Sequence, residues 1–508
     1  MKRVPLLAGS RVVVVEADDD AELLAPPPPV ESSMDVRAAV RDAVRFPLAG
    51  EPLEAIARRG GTATIVVEPP ALPVPGSTED PRQIAIAATI EELERAGVAV
   101  ERQTLVIAGG LARRLGPRDI GGLVEPEFRR RFRGRVIVHD VEDDLVDLGT
   151  AGRCPLRVNR ALVETDLVVT VTAAETVVAG GPSTLLAAGG AEALRAAGAY
   201  SLLETAASQG WQLATAVERE LARRLPVFGV SLVLDHLRLS GAVGGYPYEP
   251  EAVERLARSR ARLFAFSLLP AALRLQVLRS IPVRLTASAV FAGPPSVAHA
   301  EALLRAIESR SADLAAPVEA LVAGVPRTTP HLPREQPNPL LAAYFGLALA
   351  LRLWRDALPV VDGGTLVLLS RFQRKFQHPT QQPYRVFFGS LRYGREPDDL
   401  REAERAAGAD ARLLAEYRAG RACHPVLPFA DWAACQPALG RLGAVVVAGC
   451  RDHDAARALG FVPAHSVDAA LEMAHGRAGG HARVGYLLSP PYFPLRVARG
   501  PLGKTNGD

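Results

Sequence analysis

The chain has 508 residues, so the sequence predicts two or three domains with large cores rather than one ordinary domain. Its formal net charge is only +3, and nearly all of its basic residues are arginines scattered among almost equal numbers of acidic residues. That distribution argues against a nucleic-acid-binding surface. The only lysines are Lys2, Lys375 and Lys504.

The cysteines lie far apart and show no CxxC spacing: Cys154, Cys423, Cys435 and Cys450. The sequence therefore predicts neither a disulfide framework nor a thiolate metal site, and a reducing cytoplasm is the expected location.

Two apolar runs bear on targeting and membranes. The first is in the opening sequence MKRVPLLAGSRVVVVEADDD, where Arg11 interrupts the apolar run and an acidic cluster follows it. A signal peptide would have neither feature. The longest run, Leu340 to Leu351, is shorter than the ~18 residues that span a bilayer. We predict that it forms a buried helix and that the protein has no membrane partner.

Apolar β-branched runs alternate with amphipathic helical stretches, which is typical of parallel strands covered by helices on both faces. One such helix is predicted over Ile84–Ala96, ahead of Gly97, and the proline runs Ala25–Val30 and Pro69–Pro75 are predicted loops. The predicted strands are Val12–Val15, Thr64–Val67, Thr104–Ile107, Arg135–Val138, Leu167–Val171, Leu366–Leu369 and Ala444–Val447.

A helical, leucine- and arginine-rich stretch from Glu251 to Arg310 marks the predicted domain junction. The expected division is residues 1–300, with the helical segment of about 251–300 at the junction, residues 301–499, and a flexible tail at 500–508. The predicted fold class is α/β, with two mostly parallel sheets, each flanked by helices, and a cleft between the domains.

The stretch from Val138 to Val171 carries a specific order of motifs: a His-Asp pair, an acidic run, a Leu-Gly-Thr turn, Val-Asn-Arg, and Glu-x-Asp before a buried strand. It resembles the hallmark segment of the LarA family, the nickel-pincer lactate racemases. Val36–Pro75 and Ala292–His299 resemble further segments of that family, so the resemblance covers residues 1–370 loosely.

The resemblance implies a nickel pincer tethered to a lysine, a histidine on the metal, and two further histidines that act as acid and base on a 2-hydroxy acid. An imidazole suits that role because it titrates near neutral pH. At the three aligned positions this chain has Ala112 and Thr176 for the catalytic histidines and Leu186 for the tether lysine. If the alignment is shifted by three residues, Ala173 replaces Thr176 at the second histidine position and Ser183 replaces Leu186 at the lysine position. Neither residue restores the chemistry.

Other family positions have also changed. The polar pair in the proline-rich loop corresponds to Pro69 and Leu72, and a second polar pair corresponds to Ala342 and Phe345. No lysine occurs between residues 3 and 374, and no histidine occurs between His139 and His236. We therefore expect no pincer cofactor, no metal site and no lactate racemase activity.

Polar residues at predicted strand ends remain as ligand candidates. Arg113 and Arg114 lie in a glycine turn after the strand Thr104–Ile107, where ligands bind in open α/β sheets, and Arg113 is expected to be exposed. His139 is either a ligand-facing group or a residue that holds the following turn.

A second group follows the strand Leu366–Leu369. Lys375 and His378 lie there with Arg371 and Arg374, and the group either binds an anion or forms a solvated loop.

Three hypotheses follow. The chain binds a small anion, a carboxylate or a phosphate, in the cleft of a LarA-like fold that has lost its racemase chemistry. Alternatively, it is an isomerase, a racemase or epimerase, acting on another 2-hydroxy acid with different groups. In the third hypothesis it is a non-catalytic interaction subunit, a pseudoenzyme whose important surface is an interface. The sequence leaves oligomeric state open.

Overall fold

The computed structural model describes residues 1–29, 34–72, 80–124, 130, 132–326, 338–479 and 482–498. Its strands are β1 (Lys2–Ala8), β2 (Arg11–Ala17), β3 (Glu22–Leu24), β4 (Ala63–Val67), β5 (Gln103–Ile107), β6 (Arg135–Val138), β7 (Leu145–Ala151), β8 (Cys154–Asn159), β9 (Leu167–Ala173), β10 (Val227–Leu234), β11 (Arg238–Leu239), β12 (Val283–Arg284), β13 (Ala287–Gly293), β14 (Ala312–Leu314), β15 (Val318–Gly324), β16 (Trp354–Arg355), β17 (Val360–Leu369), β18 (Ala444–Ala448), β19 (Val462–Ala464), β20 (Val484–Leu487) and β21 (Leu495–Val497).

The α-helices of the same residues are α1 (Val36–Arg45), α2 (Leu53–Ile56), α3 (Pro81–Arg95), α4 (Pro117–Ile120), α5 (Pro182–Ala187), α6 (Ala191–Ala196), α7 (Gln209–Ala222), α8 (Pro250–Arg258), α9 (Arg260–Leu268), α10 (Ala271–Ser280), α11 (Pro295–Arg310), α12 (Pro339–Ala343), α13 (Gln382–Ser390), α14 (Arg401–Gly408), α15 (Ala411–Arg418), α16 (Leu427–Leu439), α17 (His453–Ala458) and α18 (Val467–Ala478).

The first large sheet has the strand order β13–β10–β9–β4–β5–β6, and only β13 runs antiparallel to its neighbour. Its central strands β4, β5, β9 and β10 are buried on both faces, as continuous apolar runs predict. Ile65 of β4 packs with α1 and α3 in one apolar cluster, whereas the adjacent Val66 packs with α5 and α7 in another. The sheet therefore lies between two helical layers.

The second large sheet has the order β19–β18–β17–β15–β20–β3, and all its pairings are parallel. Its edge strand β3 comes from the start of the chain, where Leu23 pairs with Tyr486. The hairpin β1–β2 and helix α18 pack together on one face of this sheet. The first 24 residues therefore contribute to the second sheet and not the first.

The α/β fold with two mostly parallel sheets is confirmed. All seven predicted strands are present, although Val12–Val15 lies in an antiparallel hairpin instead of a parallel sheet. The run from Leu340 to Leu351 is buried and helical, but a π-helical segment over Tyr344–Leu349 interrupts its α-helical geometry. The domain boundary at residue 300 stays a prediction, and the tail 500–508 lies outside the described residues.

One apolar cluster crosses between the two halves. It joins Val177 and Leu203, which precede α7, to Leu321 and Leu366 of the second sheet. None of the helices in the described part of the chain combines the length and the apolar character that a bilayer span requires.

Candidate functional site: an apolar chamber between the two sheets

The loop after β5 uses its two arginines as structural ties. The side chain of Arg113 is only 9% exposed, and it donates to the carbonyl of Gly420 at 3.2 Å and to Asp119 at 3.2 Å. The expectation that Arg113 is exposed is wrong, because the loop after α15 covers it. Its role as a ligand-binding residue stays a prediction.

Arg114 is held more tightly than Arg113. It donates to the carbonyls of Val138 at 2.8 Å, His139 at 3.2 Å and Arg418 at 2.8 Å, and it pairs with Asp140 at 3.4 Å. These contacts join the end of β6 to the C-terminal helices. They leave Arg114 little hydrogen-bonding capacity for a ligand.

His139 is buried and satisfied at both ring nitrogens. Its Nε2–H donates to the carbonyl of Gly189 at 2.9 Å, and Asn159 donates to its Nδ1 at 3.2 Å. Burial lowers the pKa of His139, so the ring is neutral. This arrangement favours the interpretation in which His139 holds the turn that follows β6.

Lys375 and His378 lie far along the chain from these residues, beyond β17. Lys375 is exposed beside an open depression that Arg451 and Asp452 also line. The Nδ1 of His378 is hydrogen-bonded to the hydroxyl of Thr380 at 2.9 Å, and the His378 side chain caps the 3₁₀ turn that follows it. The five candidate residues therefore fall into two separate groups.

The three positions that align with the family's catalytic and tether residues lie in different surroundings, and none of them has a suitable reactive group. Ala112 is half-buried in the loop after β5, and Leu186 lies in an apolar cluster with Leu185 and Leu213. Thr176 is 1% exposed, and its hydroxyl has no hydrogen-bond partner among the described residues. None of these side chains can transfer a proton at neutral pH or form a covalent tether.

The glycine loop before α5 packs directly against a buried histidine. A Cβ on Gly180 or Gly181 would lie 2.3 Å from His299, and both glycines have positive φ. The His299 Nε2–H donates to the carbonyl of Thr176 at 3.0 Å, and Ser231 donates to its Nδ1 at 3.2 Å. Burial lowers the pKa of His299 to about 4, so it is a neutral packing residue.

The residues around this loop do not fit a lysine-tethered nickel pincer. Of the described lysines, Lys2 donates to the carbonyl of Ala21 near the chain start and Lys375 is on the second sheet. Within the described residues no group of three or more histidine, cysteine or acidic side chains is arranged to hold a metal ion. We derive no step through that cofactor.

A chamber of mainly apolar walls lies where the carboxyl ends of both sheets approach each other, the usual place for ligands in open α/β sheets. It encloses about 130 Å³, close to the ~150 Å³ of an engineered apolar cavity that holds benzene. Its walls come from the end of β10, the hairpin β1–β2 and the segment after β20. Apolar lining residues include Leu6, Leu72, Leu234, Leu285, Tyr492 and Phe493.

Arg310, the last residue of α11, lines this chamber and is only 8% exposed. Its Nε atom is buried without a hydrogen-bond partner, and its guanidinium forms no ion pair with any described residue. Burial lowers the pKa of Arg310, while the nearby charges of Glu175 and Asp235 oppose that shift. A buried cation with no direct partner among the described residues is costly, so Arg310 is a candidate to bind an anion.

Two further polar side chains stand beside Arg310. The Nε2–H of His236 donates to the Arg310 carbonyl at 2.9 Å, and burial together with the positive charge of Arg310 lowers the pKa of His236 to about 3. Tyr248 donates to the carbonyl of Leu237, and burial raises its pKa. Both groups are therefore neutral at pH 7, and Arg310 is the cation of the chamber wall.

The acidic residues of the chamber already have partners. Glu175 accepts from the backbone N–H groups of Ala71 at 2.7 Å and Leu72 at 3.2 Å and pairs with Arg82 at 3.0 Å. Asp235 accepts from the hydroxyl of Thr286 at 2.6 Å. Their charges partly balance Arg310 from a distance, but neither carboxylate reaches within 4 Å of its guanidinium.

Glu68 follows β4 in a smaller depression that shares Glu175 with the chamber. Burial is the main cause that raises the pKa of Glu68 to about 8, and the charge of Glu175 adds to it. A carboxyl group that titrates near neutral pH can donate or accept a proton in a reaction.

The sequence-based search did not find Arg310, His236 or Asp235. A signal for the last two existed, because Asp235 and His236 directly follow the apolar run Val227–Leu234. Polar residues at the carboxyl end of a buried strand are candidates for ligand contacts. Arg310 gave no such signal, since a basic residue in the last turn of a helix is common for electrostatic reasons.

Fold and chamber together define a two-sheet α/β protein with a largely apolar site between its halves. The profile of the lactate racemase N-terminal domain matches residues 9–180. The lactate racemase apoprotein from Thermoanaerobacterium thermosaccharolyticum superposes with a TM-score of 0.61 at 13% identity, covering 98% of this chain and 100% of that one. A structural genomics target from Thermotoga maritima gives 0.49 at 11% identity, covering 91% and 97%.

No protein of curated function matches this sequence. Residues 9–180 carry the lactate racemase N-terminal domain, and the likeness to the apoprotein extends the same fold over the whole chain. Residues 9–180 are therefore similar to that domain, and for the remainder of the chain the likeness shows the fold alone. The low identity to the apoprotein leaves the activity of this chain open.

Proposed function

We propose that this protein binds a small carboxylic acid with an apolar substituent in the chamber, and that Arg310 holds the carboxylate. The observation that carries the proposal is the buried guanidinium on an apolar wall, whose Nε has no hydrogen-bond partner and which forms no ion pair among the described residues. A carboxylate accepts two parallel hydrogen bonds from a guanidinium, which is the geometry that arginine favours. The apolar walls select against strongly hydrated anions such as inorganic phosphate.

The proposal relocates the anion site that the sequence favoured. Arg113 and Arg114 spend their donors on backbone carbonyls and carboxylates, whereas Arg310 does not. Leu72, which stands at a polar position of the family, lines the chamber. The change from a polar to an apolar residue supports a ligand with an apolar substituent.

The test is a thermal-shift screen of short carboxylic acids, including lactate, mandelate and benzoate, against the matching amides. A ligand at 100 times its dissociation constant stabilises the fold by about 2.7 kcal/mol. We expect acids but not amides to stabilise the protein, and we expect Arg310→Gln to abolish the effect. Arg305→Gln is the matched control, because Arg305 lies on the same helix, is 61% exposed and pairs with Glu308.

Stabilisation that survives Arg310→Gln, or a panel in which no acid stabilises the wild type, would sink the proposal. Alongside this screen we expect no lysine adduct by intact mass and no lactate racemisation after expression with pincer-producing enzymes. Either signal would restore the racemase interpretation.

A second candidate is an isomerase that acts on a 2-hydroxy acid, and the raised pKa of Glu68 favours it. Such an enzyme would exchange the hydrogen on the carbon that bears the hydroxyl group with solvent. Incubation of lactate and mandelate in D₂O, followed by NMR, measures that exchange, and Glu68→Gln should remove it. Absence of exchange in the wild type rules this candidate out for those acids.

The third candidate, an interaction subunit, is favoured by an exposed apolar stripe on α9 and α10. Its members are spaced by four residues on each helix: Phe264 and Leu268, then Leu273 and Val277. Sedimentation of the wild type against Leu268→Glu tests whether the stripe joins two copies of this chain.

A further inference from the structure

The carboxyl edge of the second sheet collects a different group of arginines. Strands β15, β17 and β18 end side by side, since Val325 donates to the carbonyl of Leu369 at 3.3 Å and Ser370 donates to that of Ala448 at 3.3 Å. The turn of the hairpin β1–β2 lies over this edge, where the N–H of Gly9 donates to the Val325 carbonyl at 2.7 Å.

Four arginines come from the segments that meet at this edge. Arg11 is the first residue of β2, directly after the hairpin turn, whereas Arg371 follows β17 and Arg451 follows β18. Arg274 of α10 reaches the same place, because its Nε donates to the hydroxyl of Ser10 at 3.3 Å. We refer to Arg11, Arg274, Arg371 and Arg451 as the arginine cluster.

The cluster forms no ion pair with any acidic residue in the described part of the chain. Arg11, Arg371 and Arg451 form no side-chain hydrogen bond and no ion pair there, and the Nε of Arg11 is buried without a partner. Arg274, at 5% exposure, donates only to the Ser10 hydroxyl and to backbone carbonyls. By contrast, the neighbouring Arg374 is paired with Asp452 at 2.7 Å and 2.9 Å.

The cluster members are close enough to repel each other. Burial lowers the pKa of Arg371, and the positive charges of Arg11, Arg451 and Arg274 lower it further. Burial and the charge of Arg11 likewise lower the pKa of Arg274. Like charges held together in a partly buried place destabilise the free protein, and an anion between them would relieve the repulsion.

We propose that the arginine cluster is a binding site for a small phosphoanhydride, two linked phosphates such as the diphosphate end of a nucleotide. Three guanidiniums with free donor forks match the several charges and oxygens of a diphosphate better than the single charge of a carboxylate. The hairpin turn and α10 wall one side of the sheet edge, which favours a small ligand over an extended polymer. The site is separate from the chamber, and neither proposal depends on the other.

Titration calorimetry with pyrophosphate at constant ionic strength tests the site, with orthophosphate, sulfate and a single-stranded oligonucleotide as comparisons. We expect saturable binding of one pyrophosphate, weakened about tenfold or more in Arg371→Gln and in Arg451→Gln, because each variant loses a charge-assisted hydrogen bond. Arg457→Gln is the matched control, since Arg457 lies on the adjacent α17, is 66% exposed and pairs with Asp454. It should bind like the wild type.

A second measurement separates a binding role from a structural one. Without ligand, Arg371→Gln should melt at the same temperature as the wild type or higher, because one repelling charge is gone. A lower melting temperature together with unchanged pyrophosphate affinity would overturn the proposal. Equal responses to sulfate and pyrophosphate, no saturable binding, or tighter binding of the oligonucleotide would overturn it too.

Discussion

Two regions of this molecule place arginines beyond the ends of buried strands or helices, and they use them in opposite ways. In the loop after β5, Arg113 and Arg114 donate to carbonyls and pair with carboxylates, and their partners come from both halves of the chain. In the chamber, Arg310 is more deeply buried as a residue, but its guanidinium has no direct partner in the part of the chain that the structure describes. Position at a strand end therefore does not identify a ligand-binding arginine. What identifies it is whether its N–H donors already have partners in the protein.

The largest loss of stability is expected when Arg114 is replaced. Arg114→Met removes three hydrogen bonds to carbonyls and the ion pair with Asp140, so we expect the free energy of unfolding to fall by about 2–4 kcal/mol. Urea unfolding measures the change, with Arg305→Met as the control. A loss below that of the control would mean that these contacts contribute nothing to stability.

The next effect concerns pH and the histidine beside Arg310. The unfolded chain takes up a proton on His236 below about pH 6.5, but the folded chain resists until about pH 3, so stability falls as pH falls through this window. Between pH 7 and pH 5 this one residue should cost about 2 kcal/mol. His236→Gln should flatten that part of the pH profile. If the slopes of wild type and variant agree, His236 does not stay neutral in the fold.

A smaller loss is expected for Arg113→Ala. Its side chain makes two hydrogen bonds, to Gly420 and Asp119, which is fewer contacts than Arg114 makes. We expect the free energy of unfolding to fall by about 1–2 kcal/mol. Ligand stabilisation in the carboxylate screen should remain, because Arg113 does not line the chamber. Loss of that stabilisation would return the anion site to this loop.

The smallest effect is expected for Arg310→Met in the absence of ligand. Replacing a buried charge that lacks a partner by an apolar side chain of similar length is often neutral or stabilising. We expect a change within about 1 kcal/mol in urea unfolding. A loss as large as that of Arg114→Met would show that Arg310 is another structural tie.

Much of this fold could be predicted from the sequence because buried parallel strands leave continuous apolar runs. Val66, for example, faces the opposite helical layer from Ile65, and both must be apolar. Strand β3 left no such run, because it has three residues and Glu22 is one of them. Its pairing with β20 depends on contacts between the two ends of the chain, which local patterns do not encode.

The candidate site was harder to predict, for a related reason. The motifs near Val138–Val171 carry the resemblance to the lactate racemase N-terminal domain, but they lie around the contacts of Arg114 and His139, which hold structure together. The chamber combines residues from β10, from α11, from the hairpin β1–β2 and from the segment after β20, so no single stretch carries its signature. Which polar groups in the chamber have hydrogen-bond partners depends on the three-dimensional structure and leaves no pattern in the sequence.

The edge strand β3 has a consequence for how the chain is made. Leu23 leaves the ribosome long before its partner Tyr486 is synthesised, so β3 cannot pair until both large sheets have been made. The nascent chain must therefore keep an apolar hairpin and an unpaired strand soluble during that interval. A C-terminal fragment that starts at residue 301 would also lack both of these elements, and joining residues 1–29 to it should be the way to recover a folded second sheet.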